Sequence, residues 1–203
     1  MLTLAAICVS SSALCGEQAP NDISRYRQVL KKCGGIEVSL AAQPANTWIE
    51  QADAMKEHTA LHFALGEAMP HADSMVLIHA LGGHLCTTEY SIVLERQSNN
   101  RWTGTAVGRN QIWIKDAPYS SLPRKQWTLS EKSGRRIDTI LQSVCLYAEP
   151  SQFVSEQNGP PPLGAMMQHL DVLTPTRRRS SDFFGGDAKG LTAELANLAT
   201  PAD

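Results

Sequence analysis

The sequence predicts an α+β fold, mainly an antiparallel sheet built from hairpins and packed by about four amphipathic helices. Three observations predict it. Segments of period-two alternation come in pairs about short polar turns. Other stretches carry apolar residues at i, i+3, i+4 and i+7. A proline-rich break separates the longer first part from a shorter second one.

The first fifteen residues, MLTLAAICVSSSALC, carry no charged side chain. An apolar stretch from Leu2 to Val9 runs into small residues, and Ala13-Leu14-Cys15 offers a cleavage site. This is the pattern of a signal peptide, too short to span a bilayer. The usual basic residues before the apolar stretch are missing, since the first one is Arg25.

Asn21 to Cys33 reads as a helix, with Asn21 or Asp22 as cap and Ile23, Tyr26, Leu30 and Cys33 on one face. Ile36 to Leu40 reads as a short strand. Pro44 to Asn46 is a turn, and Asn46 caps a second helix through about Lys56. From His58 the period changes to two: Thr59, Leu61, Phe63 and Leu65 alternate with His58, Ala60, His62 and Ala64, which predicts a half-buried strand. A helix continuing from Trp48 is the rival reading, because Glu, Met, Ala and Leu favour it. Gly66 to Ser74 is a loop, and Met75 to Leu81 is a compact apolar strand.

Glu89 to Gln97 alternates. Ser98-Asn99-Asn100 makes a turn and Trp102 to Val107 returns, a hairpin. Gln111 to Lys115 is a further strand, and Pro118 to Pro123 a loop. Thr128-Leu129-Ser130-Glu131 has capping-box spacing. The helix after it carries Ile137, Ile140, Leu141 and Val144 on one face, with Ser133-Gly134 as a weak point. Glu149 to Gly164 holds Pro160-Pro161-Pro162 and reads as a linker. Met166 to Leu173 and Arg177 to Phe184 flank Thr174-Pro175-Thr176 as a second hairpin. Leu191, Leu195 and Leu198 stripe a final helix, with Asp187 as cap. The expected organisation is therefore a signal peptide over 1–15 and a main domain over 16–150. A linker over 151–164 and a C-terminal hairpin-helix arm over 165–203 follow, the arm packed on the main domain because it is too small to fold alone.

A net charge of −2 gives no reason to expect a polyanion, so nucleic acid is not an expected partner. No stretch is long and apolar enough for a membrane span. Cys33, Cys86 and Cys145 remain after cleavage, and two of them can pair in an oxidising compartment. Sequence leaves the choice among the three pairings open.

Histidine placement is the most unusual feature: His58, His62, His71, His79 and His84 fall close together, with Cys86 just beyond. Imidazole and thiolate suit zinc. His58, His62, His84 and Cys86 are the candidate metal ligands, and zinc is the one cofactor considered. If residues 58 to 62 are a strand, His58 and His62 stand roughly 13 Å apart, too far to share an ion. Thr59 also stands where a metalloprotease helix would place its base. Cys86 lacks a nucleophile signature, no G-x-S-x-G is present, and no phosphate-binding glycine loop occurs. Trp102 and Trp113, together with Arg177, Arg178 and Arg179, are the candidate partner-binding residues. A packed core is the competing role for the tryptophans, and a solvated edge strand for the arginines.

The functional expectation is an exported cell-envelope protein, periplasmic or secreted, that acts by binding another envelope protein as an inhibitor or immunity-type factor. The alternatives are a periplasmic metal-binding protein or metal-dependent hydrolase using the His58–Cys86 region, and a structural component of an envelope assembly.

Overall fold

A computed structural model describes residues 32–33, 51–153 and 163–201. The signal peptide expected over 1–15, the strand over 36–40 and the triple-proline run lie outside these residues. So does all of the first expected helix except Lys32, which is helical, and Cys33. Among the described residues the order is α1 (Gln51–Ala64), β1 (Met75–Gly82), β2 (Cys86–Arg96), β3 (Trp102–Ile112), β4 (Ser120–Thr128), α2 (Glu131–Gln142), α3 (Val144–Ala148), β5 (Gln152–Phe153), β6 (Met166–Leu173), β7 (Arg178–Phe184) and α4 (Gly190–Ala199). This is the α+β class that the patterning predicts.

The strands form one seven-stranded sheet in the order β4-β3-β2-β1-β6-β7-β5. All pairings are antiparallel except β5 with β7. β1 is central, and Met75 to Ala80 is buried throughout because helices cover both faces. On one face Val76, Ile78, Ile92, Leu94, Leu170 and Val172 meet Ile137, Ile140, Leu146 and Leu195 from α2, α3 and α4. On the other face Met75, Leu77, Val93 and Leu173 meet Ala54 of α1. Residues 166–173 pair along the whole of β1, from Met75 opposite Leu173 to Gly82 opposite Met166.

The structure corrects four local expectations. Residues 58–64 are helical, not a strand. Ala54, His58 and Leu61 recur at i, i+4 and i+7 and are buried, whereas Phe63 is 86% exposed. The apparent alternation arose because the buried stripe of α1 carries histidines where leucines usually stand. β3 runs unbroken to Ile112, so Gln111 to Lys115 is not a separate strand. Ser120 to Thr128 is a strand despite Pro123. It is the edge of the sheet, where a missing N–H costs no ladder bond, and its register with β3 shifts between Ala106 and Gly108. Finally, α2 is capped by Ser130 and not Thr128: the Ser130 Oγ accepts from the Ser133 N–H at 3.1 Å. It ends at Gln142, which leaves Val144 on a separate short helix and exposed. Gly134 has a use in α2: a Cβ there would stand 3.2 Å from Trp102 Cδ1, so the glycine lets the helix lie on the indole.

Cys33 and Cys145 form a disulfide, with Cα atoms 5.4 Å apart, which ties the segment before α1 to α3. Cys86 is a free, half-buried thiol.

Candidate functional site

Three groupings could carry function: a polar layer under α1, a histidine between two aspartates on β6 and β7, and an apolar cluster at one end of the sheet.

Alternation along β1, β2, β3 and β6 sends Ser91, His79, Glu89, Arg109, His169 and Asp171 to the face that α1 covers. α1 adds Glu57, His58 and His62. His58 and His62, one turn apart, converge on Ser91: Oγ lies 2.6 Å from His58 Nδ1 and 3.3 Å from His62 Nε2. Their tautomers follow from one carbonyl. His62 Nδ1 is 3.0 Å from Ala68 O, which can only accept, so Nδ1 carries the hydrogen. Burial holds the His62 pKa below its ordinary value, so the ring is neutral at pH 7 and Nε2 accepts from the Ser91 hydroxyl. Ser91 Oγ then accepts from His58 Nδ1–H. Burial first, and then the charges of His79, His62 and His169, push His58 down to about 3. Its Nε2 keeps a lone pair with no hydrogen-bond partner.

His79 stands edge-on to His58, with ring centroids 5.8 Å apart. Both of its nitrogens meet carboxylates, Glu57 at 3.1 Å and Glu89 at 3.0 Å. Glu89 also accepts from Arg109 at 2.7 Å. Burial alone would raise the Glu89 carboxyl, but its hydrogen bonds to His79 and Arg109 outweigh that and lower it. The layer is a polar clamp between helix and sheet.

On β6, His169 meets Asp182 Oδ1 through Nδ1 at 2.5 Å and Ser180 Oγ through Nε2 at 2.9 Å. That is the connectivity of a serine–histidine–aspartate triad. Asp171 changes its meaning. It is fully buried, and its Oδ2 lies 3.2 Å from the same Nε2, an ion-pair distance without hydrogen-bond geometry. Asp171 first, then Asp182, push His169 up to about 10. At neutral pH the ring is an imidazolium, so Nε2 donates to Ser180 and has no lone pair with which to take its proton. The arrangement is an ion cluster and not a nucleophile.

At the end of the sheet where β1, β2, β3 and β6 meet, apolar side chains face water. Leu85 is 71% and Trp113 64% exposed, and Ile112, Ile114, Leu81, Met167 and Leu163 share the exposure. Strand pairing places them at one end of the sheet but on both of its faces, with Leu81 and Met167 on the side of Glu89 and Ile112 on the side of Cys86. Leu81 is opposite Met167, Cys86 is opposite Ile112, and the Trp113 N–H donates to Leu85 O at 3.1 Å. The Trp113 indole donates to Thr87 Oγ at 2.7 Å, which fixes the ring on the surface. Leu85 has φ 67°. A left-handed backbone costs a residue with a side chain about 1–2 kcal/mol, and here it holds leucine out into solvent.

The structure separates the sequence-derived candidates. Of the four metal candidates, it joins His58 and His62 only. Cys86 alternates to the opposite face of β2 from Ser91 and stands five residues away, roughly 16 Å along the strand. His84 is exposed in the β1–β2 turn. Among the described residues no three His, Cys, Asp or Glu side chains are grouped as metal ligands would be. Trp102 is in the core, its indole donating to Asp138 at 3.1 Å, which removes it from any docking surface. Trp113 is the exposed one. Arg177 stacks over Tyr147 with its guanidinium 5.0 Å from the ring, and Arg178 donates to Thr174 O at 2.7 Å. Arg179 is buried, neither docking nor solvated. It donates to Thr192 Oγ at 2.6 Å and to Pro150 O at 2.9 Å, and lies 3.8 Å from Glu149. Glu149 in turn accepts from the N–H groups of Leu191 and Thr192 at 2.6 and 2.9 Å, capping α4 from a distant part of the chain in place of Asp187.

Sequence reasoning missed Ser91, His169, Asp171 and Glu149. Asp171, a single charge inside the apolar run Leu170 to Leu173, is the signal that could have found one of them.

No family model matches this chain, and no curated protein and no solved structure is significantly similar to it.

Proposed function

We propose that this is an exported binding protein that docks a protein partner through the apolar end of its sheet. The observation that carries the reading is the exposed cluster around Leu85 and Trp113. Large exposed apolar patches are characteristic of interaction surfaces, and tryptophan is the residue most enriched at their energetic centres. The strained Leu85 backbone adds to this, because strain kept at the surface is usually kept for use. The Cys33–Cys145 disulfide supports an oxidising location such as the periplasm or the outside of the cell. No helix among the described residues is long and apolar enough to cross a membrane. An inhibitor or immunity-type role fits a small chain whose histidine clusters are engaged with neighbouring side chains between α1 and the sheet and between β6 and β7.

The test is capture from envelope extracts by immobilised protein, comparing the native chain with Trp113→Asp and Leu85→Asp. Both changes are at the surface, so the variants keep the native melting temperature. Loss of the same captured protein in both is the expected result. Equal capture by native and variant proteins sinks the reading.

A further inference from the structure

We infer that α1 is an acid-released cover: as the pH falls toward 5 it lifts from the sheet as a unit, while the sheet and the helices on its other face stay folded. Little apolar surface holds α1 down. Among its described residues the buried side chains are Ala54, His58, Leu61 and His62, so two of the four are histidines. The helices on the opposite face bury Ile137, Ile140, Leu141, Leu146, Leu195 and Ala199. An element with few buried apolar contacts is the one that opens at low cost. The strands pair with one another, and no ladder bond passes through α1.

The polar contacts that stand in for apolar ones fail on protonation. His62 Nδ1 is committed to Ala68 O, so a proton added to this ring goes to Nε2, and the Ser91 hydroxyl loses its acceptor. A proton added to His58 goes to Nε2, which is buried and meets no acceptor. The carboxylates around the two rings are already engaged. Glu57 of α1 meets His79 of β1, and Glu89 of β2 meets His79 and Arg109 of β3. Glu67, just beyond α1, meets Arg124 of β4. Asp171 of β6 and Asp182 of β7 meet His169. Asp53 and Lys56 of α1 are exposed. An added charge on His58 therefore stands unpaired beside the rings of His79 and His62, and burying an unpaired charge is costly. The proton binds when the helix has moved away. His58 is about 3 with α1 seated and 6.5 in water, so lower pH favours the lifted helix, beginning below 6.5. For His58 alone the ratio of lifted to seated helix rises about thirtyfold from pH 8 to pH 5. Burial, outweighing the Ala68 bond and the Glu67 charge, lowers His62 as well, which acts in the same sense.

A lifted α1 is retained. On one side the chain continues into β1, and on the other the Cys33–Cys145 disulfide ties it to α3. Lifting uncovers Leu77 and Val93, which pack against Ala54. By alternation these share a face with Leu81 and Met167, so the apolar strip exposed at the sheet end then extends to the middle of the sheet.

The experiment is amide hydrogen exchange of the full chain, disulfide intact, read by mass spectrometry of peptides at pH 8 and pH 5 and corrected for the intrinsic effect of pH on exchange. Native protein is compared with the double variant His58→Gln, His62→Gln. In the native protein, opening of α1 should rise about tenfold or more from pH 8 to pH 5, while β1, β2, β6 and α2 keep their protection. In the double variant the rise should vanish, whatever the protection at pH 8, because glutamine takes up no proton. A smaller rise in the native protein overturns the inference. A rise shared equally by α1 and β1 also overturns it, since that is general unfolding and not the release of a cover. So does a double variant that keeps the native rise. If the double variant exchanges throughout the sheet, His58→Gln alone replaces it, and an undiminished rise there overturns the inference in the same way.

Discussion

His58 and His169 flank the same residue, His79, and are held in opposite charge states. His58 meets the His79 ring edge-on from α1, and His169 is its direct cross-strand partner on β6. Burial keeps His58 neutral, and two aspartates keep His169 charged.

This pair sets the pH range of stability. His58 is about 3 in the fold against 6.5 unfolded, so between those values the unfolded chain binds the extra proton, and stability falls as pH drops below 6.5. His62, also lowered, acts in the same sense. His169 is about 10 in the fold against 6.5 unfolded, so its contribution is complete below 6.5 and is lost as pH rises toward 10. Thermal melts across pH should peak near 6.5. His58→Gln should flatten the acid limb, and His169→Asn the alkaline one.

Asp171→Asn should lower the pKa of His169, since the carboxylate that raises it most loses its charge. Proton NMR titration of the His169 ring reads this directly. An unchanged titration would mean that Asp182 alone holds the imidazolium. A pKa that instead falls below 7 would give Nε2 a lone pair facing Ser180 at neutral pH, and the variant is then the one in which to look for slow ester cleavage.

Arg179→Met alone should destabilise the chain by about 3–5 kcal/mol, because it leaves Glu149 buried without its cation. Burial first, partly offset by Glu149, lowers Arg179 to about 10, so the guanidinium is charged at neutral pH. Arg179→Met with Glu149→Gln should recover part of the loss, since neither charge is then stranded. Urea unfolding of the two variants separates these outcomes.

Reduction of Cys33–Cys145 should lower stability by about 2–4 kcal/mol, because the bond closes a long loop. Among Cys33, Cys86 and Cys145, only Cys86 should react with iodoacetamide before reduction. Mass spectrometry of the peptides checks both the pairing and the free thiol.

Much of the fold was legible where side chains follow the ordinary division between apolar inside and polar outside. Thr174-Pro175-Thr176 fixed the turn between β6 and β7, and Met75 to Leu81 announced a buried strand. The division fails at α1, whose buried stripe includes His58 and His62, and the failure produced a false strand. It fails at β4, where Pro123 and exposed polar residues conceal an edge. The polar clusters were illegible for a different reason. Glu149 meets Thr192, and His58 meets Ser91, across long stretches of chain, and spacing along a sequence cannot report such meetings.

The position of β1 also governs when the molecule can become itself. Its two neighbours are far apart in the chain: β2 follows almost at once, at Cys86–Arg96, whereas β6 comes only at Met166–Leu173, after β3, β4, α2, α3 and β5. Until then the most apolar strand has one open edge, and half of the sheet has nothing to grow on. A ribosome or a membrane pore that still holds the last part of the chain therefore holds the whole sheet unfinished.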